Sequence, residues 1–332
     1  MRWLWRVLLG IVVLVAAGVA WLLWSLQQHP DLSAYAAQRW QAPPPSGSAL
    51  KVKFLGVATV LLDDGETALM TDGFFSRPDK LTAFLGQVEP DVPGIARGLQ
   101  RAQLRGKLAA VIPLHSHYDH AMDAPEVARL TGATLLGSVS TLNIGRGWNL
   151  PEAQMREAKL GQPLRFGRFT VTLYPAVHTP TGFTGGEITA PLKPPARATA
   201  FLEGQSYAMH VAHDDRTLLI TGTAGFVPGA LKDVKAEVVL LGIGALGPRS
   251  DAQRDGYWRE VVATTGARRV FPIHWDDFWL PSDQPVKAMP PPLDRVEVSL
   301  DFLIARGRSE GVEVWLPPLW ETMDVWGGLP AR

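Results

Sequence analysis

Leu108-Ala109-Ala110-Val111-Ile112-Pro113 runs straight into His115-Ser116-His117-Tyr118-Asp119-His120, and this stretch decides the fold. Its first part is a short, fully apolar run of the kind that forms a strand buried on both faces. Its second part puts four metal-capable side chains in six residues, on a strand-to-helix turn. Side chains two apart on extended backbone point the same way, so His115 and His117 can grip one ion together. Asp119 and His120, at the start of the following helix, can face a second. Imidazole and carboxylate at ~2.0–2.2 Å suit tetrahedral zinc with one position left for water. Packing alone does not account for four such groups in one turn.

The flanking sequence builds a sandwich around this turn. Residues 51–62 alternate as a strand does, Asp63-Asp64-Gly65 is a turn, and residues 67–71 return to end at Asp72-Gly73. A helix is expected over 93–104. Another follows the histidine motif, with Asp123 as N-cap, Pro125 in its first turn and Gly132 as its stop. Further strands are expected at 134–137, 169–174, 199–203, 207–212, 217–221, 238–241, 269–272 and 312–316, with helices near 252–264 and 296–306. Hairpins followed by alternating strands and helices fit two packed sheets covered outside by helices, a four-layer αββα sandwich of the α/β class.

The N-terminal segment reads differently. Arg2 and Arg6 precede an apolar run over 7–26, with Trp3, Trp5, Trp21 and Trp24 towards its ends. Roughly 20 apolar residues cross a bilayer, and tryptophan favours the interface. A cleaved signal peptide has a shorter apolar core of ~7–15 residues with a small-residue site close behind. Here the nearest such site, Ala34 to Ala36, lies well downstream, so an uncleaved transmembrane anchor is expected. The arginines favour a cytoplasmic N-terminus and a periplasmic catalytic domain on a bacterial inner membrane. Residues 27–49, with Pro43, Pro44 and Pro45 in a row, read as a stiff, extended linker. The folded domain is expected over 50–332.

Composition narrows the chemistry. The 332 residues are 46% hydrophobic and 19% charged, which implies a folded core. The formal net charge is zero, against the basic surface that a general nucleic-acid binder needs. There is no cysteine, which excludes disulfides, thiolate ligands and a cysteine nucleophile. Any transition metal must rest on imidazole and carboxylate, ligands that suit zinc, iron or manganese.

With these features the sequence resembles the metallo-β-lactamase superfamily over about residues 52–316. Val52-Lys53-Phe54-Leu55-Gly56 with Thr59-Val60-Leu61-Leu62, then Leu69-Met70-Thr71-Asp72, looks like its opening hairpin. The histidine-rich motif is matched in full. His178 in Pro175-Ala176-Val177-His178 and His274 in Phe271-Pro272-Ile273-His274 fit the family's two later histidines. The resemblance implies one metal site of His115, His117 and His178, and another of Asp119, His120 and His274. It implies one or two zinc ions and a supporting place for Asp72 behind the ligands. The motif looks closest to the branch holding N-acylphosphatidylethanolamine phospholipase D and ascorbate-phosphate lactonase. Two departures stand out. Thr223, in Thr221-Gly222-Thr223, occupies the position of a bridging aspartate, and a neutral hydroxyl compensates two dications poorly. Val57 replaces a histidine that the branch often carries.

The chemistry expected is hydrolysis. A metal lowers the pKa of bound water towards ~7 and polarises the substrate oxygen, with Asp119 as the catalytic group that orients the water or passes a proton. Ester, amide, lactone or phosphodiester bonds are all open, with a phospholipase D-like reaction favoured over lactonase or β-lactamase-like activity. A metal-binding member without turnover, disabled by Thr223, and an iron oxygenase are the competing classes. Phe74, Phe75, Trp148, Phe183, Trp275, Phe278 and Trp279 lie on loops near the motif and suit a small or lipid-like apolar substrate. Phe75, Tyr118, His210 and Trp275 are candidate substrate contacts. His210 and His213 either reach the pocket and partly replace the missing aspartate or are exposed strand or turn histidines, the latter reading being favoured.

Overall fold

The computed structural model describes residues 2–180 and 185–330. Thirteen strands among them form two mixed sheets. The first sheet has the order β1 (Lys51–Gly56), β2 (Thr59–Asp63), β3 (Thr67–Thr71), β4 (Lys107–Ile112), β5 (Thr134–Gly137), β6 (Met155–Glu157). The second runs β13 (Glu313–Val314), β12 (Arg269–Ile273), β11 (Val238–Gly242), β10 (Arg216–Thr221), β9 (Ser206–His213), β8 (Phe169–Ala176), β7 (Leu164–Phe166). In each sheet an antiparallel meander joins a parallel set. Four layers result, as the sequence implied.

Binary patterning explains the layers. Val52, Phe54, Val60, Leu62 and Leu69 face the second sheet and meet Leu218, Ile220, Val238 and Leu240 in the main core. The alternate residues Leu61, Met70 and Val111 face outward, yet they too are buried. They pack against Ile95 of α3 (Val92–Ala102) and Val127 of α5 (Ala124–Thr131). On the far side α7 (Asp251–Tyr257), its π-helical continuation Trp258–Ala263 and α8 (Val296–Glu310) cover the second sheet. A short α4 (Tyr118–Ala121) and α6 (Val139–Gly147) follow β4 and β5.

Three expectations need correction. Residues 51–62 are not one strand: Val57 takes a left-handed φ of 53° and the chain doubles back between β1 and β2. Residues 199–203 form no strand but a short 3-10 turn, Ala198–Ala200, and irregular backbone. The proline-rich linker is not a free spacer. It contains a 3-10 helix, Leu32–Gln38, whose Tyr35 donates to Asp301 of α8 at 2.9 Å. Trp40 then sits edge-on to Phe271 with Arg269 over its ring.

The N-terminal helix α1 (Arg2–Ser25) is long and apolar enough to cross a membrane, with none of its apolar window buried. A membrane span and a signal sequence share those properties. Its end is fastened to the domain: Lys80 Nζ donates to the Leu26 carbonyl at 3.0 Å, and His29 Nδ1 lies 2.9 Å from the Ala288 carbonyl.

The loop after β12 is braced by a buried ion pair. Asp276 accepts from Arg77 Nη2 at 2.6 Å and from the Val57 N–H at 2.8 Å, with both side chains almost wholly buried. Removing one partner strands a buried charge, which costs about 3–5 kcal/mol. Asp276→Ala should therefore lower the unfolding free energy by about that amount. Denaturant titration of the two proteins checks it, and an unchanged midpoint would remove the brace from the account.

Candidate metal centre

Every candidate ligand follows the C-terminal end of a strand. Asp72 follows β3, His115 to His120 follow β4, His178 follows β8 and His274 follows β12. In mixed α/β sheets that edge is where loops converge to form sites. One ligand and one supporting residue are held in the left-handed region that few non-glycine residues adopt: His274 has φ 60° and Asp72 φ 54°. Such backbone persists where the surroundings over-determine it, commonly at functional sites. The opposing Gly244 is required here, because a Cβ on it would lie 2.9 Å from His274 Nδ1.

The six predicted residues fall into two groups of three, His115 with His117 and His178, and Asp119 with His120 and His274. Within each group the ligand atoms all lie within 4.8 Å of one another. His115 Nε2 is 3.1 Å from His117 Nδ1, and His120 Nε2 is 3.1 Å from His274 Nε2. Asp119 Oδ2 is 3.5 Å from both His120 Nε2 and His274 Nε2. Metal–ligand bonds of ~2.0–2.1 Å at tetrahedral angles space their donors ~3.3–3.4 Å apart. The donor sets therefore fit a transition metal in each triad. The rings of His115 and His120 lie 3.8 Å apart, so the triads adjoin.

Electrostatics prepare the ligands. Burial, together with neighbouring imidazoles, holds His115 well below its ordinary pKa and takes His178 down to about 3. Both rings are thus neutral at neutral pH, as metal ligation requires. Burial alone would raise the Asp119 pKa, but His120, His274 and His117 hold it well below the carboxylate range. Burial likewise opposes charge on His120, yet Asp72 and Asp119 raise its pKa.

The supporting groups fix the rings. Asp72 Oδ2 accepts from His120 Nδ1 at 2.6 Å, which leaves Nε2 for an ion, and its Oδ1 accepts from the Leu114 N–H at 2.8 Å. His178 Nδ1 lies 2.6 Å from the Thr179 carbonyl, so its Nε2 is the ligand atom. Thr223 faces Thr179: its Oγ1 accepts from the Thr179 N–H at 3.0 Å, and its carbonyl accepts from Tyr257 Oη at 2.9 Å. Where the resemblance led to the expectation of a bridging carboxylate, Thr223 presents a hydroxyl that ties down the His178 loop.

Sequence reading missed the roles of three residues. Glu203 accepts from the His178 N–H at 3.1 Å through its carboxylate and from the Ser116 N–H at 2.8 Å through its carbonyl, joining the loops of one triad. Thr179 accepts from the Ala224 N–H at 2.9 Å. Asp123 does not cap α5 with its side chain; it accepts from the Phe75 and Ser76 N–H groups, each at 2.7 Å. A lone acid or threonine on an irregular loop carries no spacing signal, so Glu203 and Thr179 were not legible; Asp123 was placed at the N-cap position it occupies, but the partners of its side chain were not.

The candidate substrate contacts divide. Tyr118 packs edge-on to Phe74 and Phe278 and accepts from Trp279 Nε1 at 2.8 Å, beside the second triad. Phe75 instead lies in the outer core against Gly98 and Trp320. Trp275 turns away from His274 and lines a cavity of about 630 Å³ between linker and domain, with Arg39, Trp40 and Leu316. His210 meets the Lys235 carbonyl at 3.0 Å, and His213 meets Asp64 at 2.9 Å. Lys235 and Asp64 both belong to the sandwich end opposite the ligands, so neither histidine substitutes for the missing carboxylate. Trp148 donates to Glu126 at 2.8 Å, and Phe183 lies outside the described residues. Asp276 and Asp277 are engaged by Arg77 and Lys80, not by the His274 ring.

A metal-dependent hydrolase of the metallo-β-lactamase fold is the class that these features define. The chain belongs to that superfamily: the model of the beta-lactamase superfamily domain matches residues 83–275. A metal-dependent hydrolase from Pyrobaculum arsenaticum is 25% identical over 245 residues, covering 71% of this chain and 88% of the relative. One from Pyrobaculum aerophilum is 27% identical over 247 residues, with the same coverage of 71% and 88%. Among solved structures, the metallo hydrolase Igni18 of Ignicoccus hospitalis shares the fold at 16% identity and a TM-score of 0.52, covering 82% of this chain and 97% of that one. CmlA, a diiron β-hydroxylase of Streptomyces venezuelae, shares it at 16% identity and a TM-score of 0.50, over 86% and 55%.

Asp72 supplies the test of this arrangement. Groups that hold a ligating histidine typically change metal affinity 10–100-fold when removed. Asp72→Asn should weaken metal binding by about that factor, read by competition with a chromophoric chelator. Undiminished affinity would mean that His120 is oriented by packing alone.

Proposed function

We propose that this protein is a zinc-dependent, membrane-anchored hydrolase that cleaves a hydrophobic or amphipathic substrate at an ester, amide, lactone or phosphodiester bond, with a phospholipase D-like phosphodiester favoured. One observation carries the substrate class: an aromatic wall of Phe74, Tyr118, Phe278 and Trp279 reaches the second triad, with Phe278 edge-on to His274 at 5.8 Å. Apolar walls with a few convergent polar groups are how proteins hold substrates of this kind.

His115, His117 and His178 would hold one ion, and Asp119, His120 and His274 the other. When bound, such an ion lowers the pKa of water and acts as a Lewis acid on the substrate oxygen. Asp119 stays ionised and is a weak base, so it orients the attacking water as a hydrogen-bond acceptor. Tyr118 keeps its proton, because burial raises its pKa well above the ordinary value. Its oxygen accepts from Trp279 Nε1, which fixes it and leaves the O–H to donate to a substrate. The helix α1 holds the domain at the bilayer, facing the periplasm.

Two measurements test this reading. Metal analysis of the purified protein should return zinc, and turnover in a panel of phosphodiesters, lactones and β-lactams should vanish with a chelator. His117→Ala should reduce kcat/KM by more than about a hundredfold, beyond what loss of a merely supporting group produces. Turnover that survives both treatments would refute metal-dependent catalysis here, and iron retained in place of zinc would refute the zinc assignment.

A further inference from the structure

A short helix beside the anchor presents an apolar face to solvent. The helix α2 (Lys80–Leu85) is started by Asp79, whose side chain accepts from the Leu81 and Thr82 N–H groups, and is stopped at Gly86. Leu81, Phe84 and Leu85 are 70%, 53% and 73% exposed, while Ala83 is buried against the domain. The spacing of these three, i, i+3 and i+4, puts them on one face. Apolar residues grouped in this way on a surface mark a contact with a partner or a membrane.

Two further observations identify the partner. The helix is bound to the end of α1: Lys80 Nζ donates both to the Leu26 carbonyl, at 3.0 Å, and to Asp277, at 2.6 Å. The residue that follows the last turn of a membrane-spanning helix lies at the bilayer surface, and α2 is fixed at the same level. Behind α2 the ring of Phe84 is 5.3 Å from Trp279, Trp279 is 4.4 Å from Phe278, and Phe278 is 5.8 Å from His274. Aromatic contact is thus continuous from the exposed face to a candidate metal ligand.

We propose that α2 is a second membrane contact, seated in the bilayer interface beside the anchor. Through the Phe84–Trp279–Phe278 chain it admits the apolar part of a bilayer-resident amphiphile to the metal centre. This rests on the anchored-hydrolase reading above and narrows its substrate to lipid-like molecules taken directly from the membrane. Tryptophan and phenylalanine with leucine are the residues that enter an interface. The cation of Lys80 stays at the polar level, as interfacial lysines do.

The absence of cysteine allows a direct test in the full chain. Leu81→Cys, Phe84→Cys and Leu85→Cys would each carry an environment-sensitive fluorophore in protein reconstituted into phosphatidylcholine vesicles containing spin-labelled lipid. Leu130→Cys serves as control, because Leu130 is exposed near the end of α5 remote from the ligands. Quenching at the three α2 positions and not at the control is expected. Equal quenching at all four positions overturns the proposal. So does shielding from an aqueous quencher without lipid quenching, since that result would mean a protein covers the face. A second arm separates this inference from the hydrolase reading. Replacing Leu81 and Leu85 together by serine, with Phe84 kept, should lower kcat/KM on a vesicle-resident substrate at least about tenfold and leave a soluble short-chain analogue unaffected. Lipid quenching with no turnover of any substrate would sink the hydrolase reading and leave the membrane contact standing. An equal fall on both substrates would overturn the delivery role.

Discussion

Imidazole nitrogens 3.1 Å apart in a buried site repel through their lone pairs unless a proton or a metal ion lies between them. Two such pairs, each completed by a third donor, make the energetic centre of this protein. Burial holds His115 and His178 in the neutral form, which leaves a ring nitrogen of each able to ligate a cation. A cation is what the arrangement is built to receive, and binding it is linked to folding in the way metal sites generally are. The sandwich brings the ends of β3, β4, β8 and β12 to one edge, which places residues from 72 to 274 around a single point.

The second triad differs from the first in charge. It contains Asp119, and Asp72 stands behind His120, whereas His115, His117 and His178 bring no negative charge of their own. Thr223 adds no charge: its hydroxyl binds Thr179 and so positions His178 from behind. Charge for two dications must then come from Asp119, Asp72 and whatever anion the substrate or solvent supplies, because repulsion between close cations is large in a low dielectric. This makes the two sites electrostatically unequal.

Much of this was legible in the sequence, and the reasons are specific. The apolar run before His115 announces a buried strand, and the alternation of His115 with His117 announces one shared face. His178 and His274 each follow a β-rich stretch, so a strand-end rule finds them. The positions of Phe75 and Trp275 were not legible, although they lie beside site residues. The left-handed turn at His274 sends its successor towards the linker, and backbone strain of that kind leaves no mark in composition. Glu203 joins two loops through one carboxylate and one carbonyl, which is a tertiary relation with no periodicity to detect. The strand expected over 199–203 is absent although Thr199 and Phe201 favour strands, because its backbone is taken up elsewhere: the Ala200 N–H donates to the Arg197 carbonyl and the Glu203 carbonyl accepts from the Ser116 N–H.

The linker changes what the N-terminal helix can do. A stiff but detached spacer would let the domain tumble above the bilayer, and the proposed anchor would then only raise local concentration. Tyr35 on α8, Trp40 against Phe271 and His29 at the Ala288 carbonyl instead fasten residues 29–40 along the domain. Lys80 closes the last gap, at Leu26. The direction of α1 relative to the ligands is then set by packed side chains and hydrogen bonds. An anchor joined in this way orients the domain, and one edge of the sandwich faces the membrane whenever α1 spans it. The edge that these contacts select is the one carrying α2 and Trp279, on the side of the molecule where Phe278 meets His274.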